Sequence, residues 1–173
     1  MSTSEYLAFI PLLIYGLGLT NLLGEWKRIF VWNEIFLPYT FMTLFLTEIG
    51  VYNVFIYQRM LAKLEGLSYI NYLLFLVIPV LYYLATLVFT PEQGDNTREH
   101  FIKRMPLFYT LVALLTASNF IYGLDKSMYV NISRIIFLVV VALCGFTKKI
   151  WLTYVLIFIW LVSFLMRGAI IAV

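Results

Sequence analysis

Six apolar runs, each about one bilayer crossing long, fill most of this chain, at roughly residues 4–23, 35–57, 67–90, 105–123, 128–147 and 150–172. A helix needs about 20 consecutive apolar residues to cross the hydrocarbon core of a membrane. Of the 173 residues, 63% are hydrophobic and 12% are charged. Soluble domains carry roughly 25% charged residues, so this chain lacks the polar side chains to cover itself in water. In hydrocarbon every backbone N–H and C=O needs a partner inside the segment. The runs show no period-2 alternation, which favours helices over a barrel. The expected fold class is all-α: a polytopic transmembrane bundle of six helices with short loops and no soluble domain. The whole of 1–173 reads as a single transmembrane domain.

Local signals explain the breaks. Gly24-Glu25 followed by Lys27-Arg28 ends the first run, and Asn33 suits the cap of the second. Gln58-Arg59, Lys63, Glu65 and Gly66 part the second and third. Pro91 stops the third. Asn96-x-x-Glu99 fits a capping box for a short interfacial helix bearing Arg98, His100, Lys103 and Arg104. Pro106 then either opens the fourth run or kinks a continuous helix. Gly123 and Asp125 close the fourth, and Thr147-Lys148-Lys149 makes a tight fifth connection. Pro11 and Pro79 fall inside runs one and three, where a kink is expected. Run five spans only if Asn131, Ser133 and Arg134 lie in the interface or face protein. At the N-terminus no Lys or Arg precedes the apolar run, and Ser2-x-x-Glu5 resembles a capping box, so the first helix is expected to be retained.

Glu48 is the anomaly. It stands inside FMTLFLTEIGVYNVFIY, Phe41 to Tyr57. A charge at a helix centre costs about 2.5–3.5 kcal/mol on the insertion scale. The same stretch holds nine Leu, Ile, Val or Phe residues, which together return about 3–5 kcal/mol. Insertion is therefore feasible, with Glu48 turned into the bundle or protonated. Arg167 is the expected partner, since runs two and six point the same way and the two depths differ by roughly 6 Å. Arg134 is the alternative. Tyr52, Asn53, Asn71, Asn119, Asn131 and Ser163 fall in the same half of the membrane. These residues suggest one buried polar layer around Glu48 and Arg167, with Trp160 able to wall it.

The net charge of +3 reads as orientation information and lipid-headgroup contact rather than a nucleic-acid footprint. The loops on the Lys27-Arg28 side carry Lys27, Arg28, Arg98, Lys103, Arg104, Lys148 and Lys149. The opposite side carries Arg59, Lys63, Lys126 and Arg134, with Arg167 embedded. Positive charge faces the cytoplasm, which places both termini outside it. Trp26, Trp32 and Trp151 sit at run ends, as interfacial aromatics do.

Enzymatic signatures are missing. One histidine, His100, rules out two-histidine metal motifs and bis-histidine haem. No HExxH, Gly-x-Ser-x-Gly or phosphate loop occurs. Gly16-x-Gly18 and Ala113-x-x-x-Ala117 read as helix-packing stripes. Cys144 is the single cysteine, so no intramolecular disulfide is possible. Neither a cofactor nor a metal is expected.

The segments GLGLTNLLGEWKRIF and IPVLYYLATLVFTPEQGDNTREHFIKRMPLFY resemble parts of small multi-spanning bacterial inner-membrane proteins. Pro79, Tyr82, Ala85, Leu87, Pro91, Glu92, His100 and Phe101 carry the resemblance. It implies class and compartment, the bacterial inner (cytoplasmic) membrane, and no particular reaction. The sequence thus suggests a non-enzymatic membrane protein. One expectation is a small transporter or channel-like protein, forming oligomers, built around the polar layer. The other is a structural or accessory subunit docked onto a larger membrane complex.

Overall fold

The computed structural model describes residues 3–30, 35–64, 68–92, 94–122 and 128–171. Six helices make up these residues, and no strand occurs among them. They are α1 (Thr3–Ile29), α2 (Leu37–Leu64), α3 (Tyr69–Phe89), α4 (Thr97–Tyr122), α5 (Met128–Thr147) and α6 (Ile150–Ile171). Their neighbours trace a circuit α1–α3–α4–α5–α6–α2, which closes where α2 packs on α1. The α2 helix also touches α3 and α4.

Two segments are long and apolar enough to cross a membrane, Phe9–Ile29 and Tyr69–Phe89. The others carry charge or have shorter described apolar portions. Glu48, Arg59 and Lys63 fall within α2, and the first turns of α4 hold Arg98, Glu99, Lys103 and Arg104. In α5 and α6 the apolar portions run over Asn131–Thr147 and Ile150–Leu165. Large apolar side chains are exposed on every helix, among them Leu13, Phe55, Leu74, Leu114, Ile135 and Phe158.

Helix and apolar run differ at three ends. The α1 helix continues through Gly24–Arg28 to Ile29, because Glu25 and Arg28, one turn apart, pair with each other. Similarly, α2 runs past Gln58 to Leu64. The supposed interfacial helix and run four form one continuous α4, with Pro106 inside it. Its start is as expected: Asn96 Oδ1 accepts from the backbone N–H groups of Arg98 and Glu99, a side-chain N-cap. The proposed caps at Ser2 and Asn33 lie outside the described residues, as do the breaks at Glu65-Gly66 and Gly123-Asp125. The fifth connection is tight at the cost of a left-handed Lys148, φ 53°.

Prolines inside helices create carbonyls without partners, since proline has no N–H for the carbonyl four residues earlier. Pro11 does so to Leu7. The Tyr72 hydroxyl of α3 donates to that carbonyl at 2.8 Å, so a neighbouring helix repairs the gap.

A second tyrosine, Tyr82 of α3, packs against both α1 and α2. Tyr82 is fully buried and donates to the Leu46 carbonyl at 3.1 Å. It can reach that carbonyl because Gly50, one turn on, leaves it uncovered. A Cβ on Gly50 would overlap the Tyr82 hydroxyl and approach Leu19 Cδ2 to 2.8 Å. Across the slot, a Cβ on Gly18 would meet Tyr82 Cε1 at 2.6 Å, whereas one on Gly16 would meet nothing. The packing role expected of Gly16-x-Gly18 therefore belongs to Gly18.

Two outcomes follow in thermal or denaturant unfolding. Gly50→Ala should destabilise by about 1–3 kcal/mol through overpacking, and Tyr82→Phe in the same background should recover part of that loss. Strict additivity of the two would refute the slot. Tyr72→Phe should cost about 1–3 kcal/mol by stranding the Leu7 carbonyl. With Pro11→Ala present the cost should shrink, because the substituted residue supplies the missing backbone N–H.

Candidate functional site

Two polar sites interrupt the apolar interior, at different depths. The deeper one is the seam between α2 and α6, which pack together. Glu48 lies half-buried there, and Trp160 Nε1 donates to its Oε2 at 3.3 Å. The Trp160 ring is held edge-on by Phe45, centroids 5.7 Å apart, and lies 6.1 Å from Phe164. Phe45 in turn meets Phe137 of α5 at 5.8 Å. An aromatic wall thus fixes the indole so that its N–H reaches the carboxylate. A hydrogen bond to a carboxylate is worth about 1.5–3 kcal/mol, less at this length. Glu48 thus meets α6 through the Trp160 indole.

The remaining polar-layer residues are spread unevenly. Ser163 and Arg134 are half-buried. Asn53 Nδ2 donates to the Ile49 carbonyl of its own helix at 2.8 Å, which ties that amide down locally. Tyr52 is 37% exposed, and Asn71 is exposed in the first turn of α3. Ser68 Oγ accepts from the Asn71 backbone N–H at 3.4 Å, so Asn71 belongs to the N-terminal cap of α3. The side chains of Asn119 and Arg167 lie outside the described residues, and with them the Glu48–Arg167 pair. In run five, Asn131 is half-buried and Ser133 exposed.

The second site lies where α1 ends and the α3–α4 loop passes. Glu25 is 7% exposed. Arg28 Nε pairs with its Oε2 at 3.0 Å, and the Tyr39 hydroxyl donates to the same oxygen at 2.9 Å. The other two Arg28 nitrogens donate to loop carbonyls, Glu92 at 3.0 Å and Asp95 at 3.3 Å. One guanidinium thus satisfies three acceptors, which suits its fork of donors. Tyr39 is stacked on Phe89, centroids 4.4 Å and planes 3° apart. Phe101 and Phe108 extend this cluster. His100 stands on the first turn of α4. Its Nε2 lies 3.1 Å from the Val88 carbonyl, so that nitrogen carries the proton, and Nδ1 faces Asp95 at 3.7 Å.

Glu25 and Arg28 were legible in the sequence only as a run boundary, and Tyr39 carried no signal of its own. The i,i+3 spacing of Glu25 and Arg28 was the available signal. Hydroxyls elsewhere are absorbed by their own helices: Thr43, Thr47 and Thr116 each donate to the carbonyl four residues earlier, at 2.8–2.9 Å. Among the described residues no group of three or more His, Cys, Asp or Glu side chains is arranged to hold a metal. No family model, curated protein or solved structure matches the chain.

Arg28→Ala should destabilise by about 3–5 kcal/mol, because it leaves the Glu25 carboxylate buried without its cation. Glu25→Gln in that background should restore part of the loss. Hydrogen exchange at residues 94–96 should speed up in both variants. Unchanged exchange there would show that Arg28 does not hold the loop.

Proposed function

We propose that this chain is a non-enzymatic, six-span protein of the bacterial inner membrane that serves as a structural or accessory subunit within the bilayer. The observation that carries this reading is the filled interior. Tyr39, Tyr82, Tyr109, Phe89, Phe108, Met42 and Met105 are each no more than 2% exposed between α2, α3 and α4. Tyr109 and Thr153 hydroxyls share a hydrogen bond at 2.9 Å, which ties α4 to α6. A core of this kind suits a rigid membrane scaffold better than a wet path. The apolar side chains exposed on every helix suit lipid or a membrane partner as their surroundings. The resemblance of residues 78–109 to small inner-membrane proteins points to the same compartment. Lys27, Lys103, Arg104, Lys148 and Lys149 at one end favour a cytoplasmic assignment for that end, with both termini opposite.

A second reading, a small transporter or channel-like protein, is favoured by one observation: a half-buried carboxylate at the α2–α6 seam. Intramembrane acids often mark ion paths. Flux separates the two. In proteoliposomes the accessory reading expects proton and cation leak no greater than in empty vesicles, and extraction in mild detergent should recover a complex of fixed stoichiometry. A flux that Glu48→Gln abolishes without lowering the melting temperature would establish the transport reading instead.

A further inference from the structure

The two helices that hold the long apolar segments finish at one corner. The α1 helix ends at Ile29 and α3 at Phe89. Arg28, in the last turn of α1, donates to the Glu92 and Asp95 carbonyls of the loop that follows α3. From Thr97, α4 turns back along α3: His100 reaches the Val88 carbonyl, and Phe101 and Phe108 both meet Phe89. Position along α4 therefore measures depth. Its first residues lie level with the loop, and later ones lie level with the apolar body of α3.

A cavity of about 190 Å³ opens at this corner, lined by Glu92, Asp95, Glu99, His100, Lys103 and Arg104 beside the Asn96 cap. Its charges are sorted by depth. Glu92 and Asp95 belong to the loop and Glu99 to the first turn of α4. Lys103 and Arg104 stand one turn further along the helix, a step of about 6 Å. The two signs share a wall without pairing. Among the described residues no carboxylate lies within ion-pair distance of Lys103 or Arg104, and no cation within that distance of Glu92 or Glu99. Arg98 lies over the Phe36 ring instead, 6.0 Å from its centroid. His100 gives its Nε2 proton to Val88, which leaves Nδ1 as an acceptor 3.7 Å from Asp95 Oδ2. That separation is too long for a hydrogen bond. Two acceptors facing each other suit a ligand rich in N–H donors.

The ligand that matches this wall carries a phosphate on the deeper side and a protonated amine on the outer side. The headgroup of phosphatidylethanolamine has that order. Its phosphate is joined to the glycerol, next to the acyl chains, and its primary ammonium is carried outward. Ionised carboxylates are acceptors for ammonium N–H groups, and Lys and Arg bind phosphate oxygens. A choline headgroup has the same charges but no N–H to donate. An anionic headgroup brings no cation to the three acids.

We infer that this cavity binds the headgroup of a zwitterionic, primary-amine phospholipid, its phosphate on Lys103 and Arg104 and its ammonium among Glu92, Asp95 and Glu99. This rests on the membrane-spanning part of the proposed function, which sets the cavity at headgroup level with its deeper side toward the acyl chains.

The test uses the full chain in phosphatidylcholine nanodiscs that contain phosphatidylethanolamine or phosphatidylglycerol with the same acyl chains, and counts retained lipid by native mass spectrometry. Phosphatidylethanolamine should be retained roughly tenfold over phosphatidylcholine, the difference that one charged hydrogen bond makes. Glu92→Gln with Glu99→Gln should bring these two lipids level. Lys103→Gln with Arg104→Gln should weaken both alike and keep the preference, because both lipids carry the phosphate. All four side chains are exposed, so the melting temperature should stay near that of the wild type. Lys148→Gln with Lys149→Gln, outside the cavity, should leave the preference intact, and a loss there as large as in the Glu92 and Glu99 variant would mean general surface charge and overturn the site. So would a wild type that does not prefer phosphatidylethanolamine, a preference that survives without Glu92 and Glu99, or stronger retention of phosphatidylglycerol. Displacement of the lipid by millimolar phosphoethanolamine would assign the cavity to a soluble amine phosphate and overturn the lipid. Resistance of the chain to alkaline extraction from membranes tests spanning separately. A chain that resists extraction but shows no headgroup preference refutes only the site.

Discussion

Among the described residues, most buried polar groups find a partner within the chain, because the side chains around them are almost all apolar. That constraint explains details that otherwise look unrelated. Thr43, Thr47 and Thr116 bond back to their own helices, and Asn53 does the same. The Leu7 carbonyl, abandoned by Pro11, is taken by Tyr72 from another helix. In water each of these groups has a solvent partner. In an apolar setting an unpaired amide or hydroxyl costs several kcal/mol, so these local repairs are conditions for the fold.

Charge follows the same rule more severely. Glu25 is enclosed with a guanidinium and a phenol on one oxygen, and the guanidinium passes on to the α3–α4 loop. The result is a rigid end to the bundle, backed by the stack of Tyr39 on Phe89. Glu48 sits where two helices meet, with an indole N–H as one of its contacts. The first carboxylate is built into architecture. The second lies at a seam, and only that position gives a transport reading its foothold.

Much of the fold was legible from run lengths alone. Six apolar runs became six helices, and the Thr147–Lys149 break fell where α5 ends. Helix ends were less legible, because hydrogen bonding does not stop where apolarity does. Glu25 and Arg28 look like a terminus in sequence, yet their pairing lets α1 continue to Ile29. Of the candidate site, Glu48 could be singled out from the cost of a charge inside an apolar helix, and Trp160 from the helix stripe it shares with Ser163 and Arg167. The outward placement of Asn71 could not, since it depends on the Ser68 cap and on the angle at which α3 starts.

The sequence by itself determined an all-α class: six apolar runs, each several helical turns long, parted by polar breaks. Those follow from composition and length, which are properties of segments. Which helices touch, and therefore which polar groups meet, was decided only in three dimensions. Glycines at 18 and 50 admit Tyr82, and the circuit of helices carries Arg28 to the loop and Trp160 to Glu48. Such pairings link residues 64 to 112 positions apart. No local pattern encodes them, because they arise from the packing of surfaces that the chain assembles only when all six helices are in place.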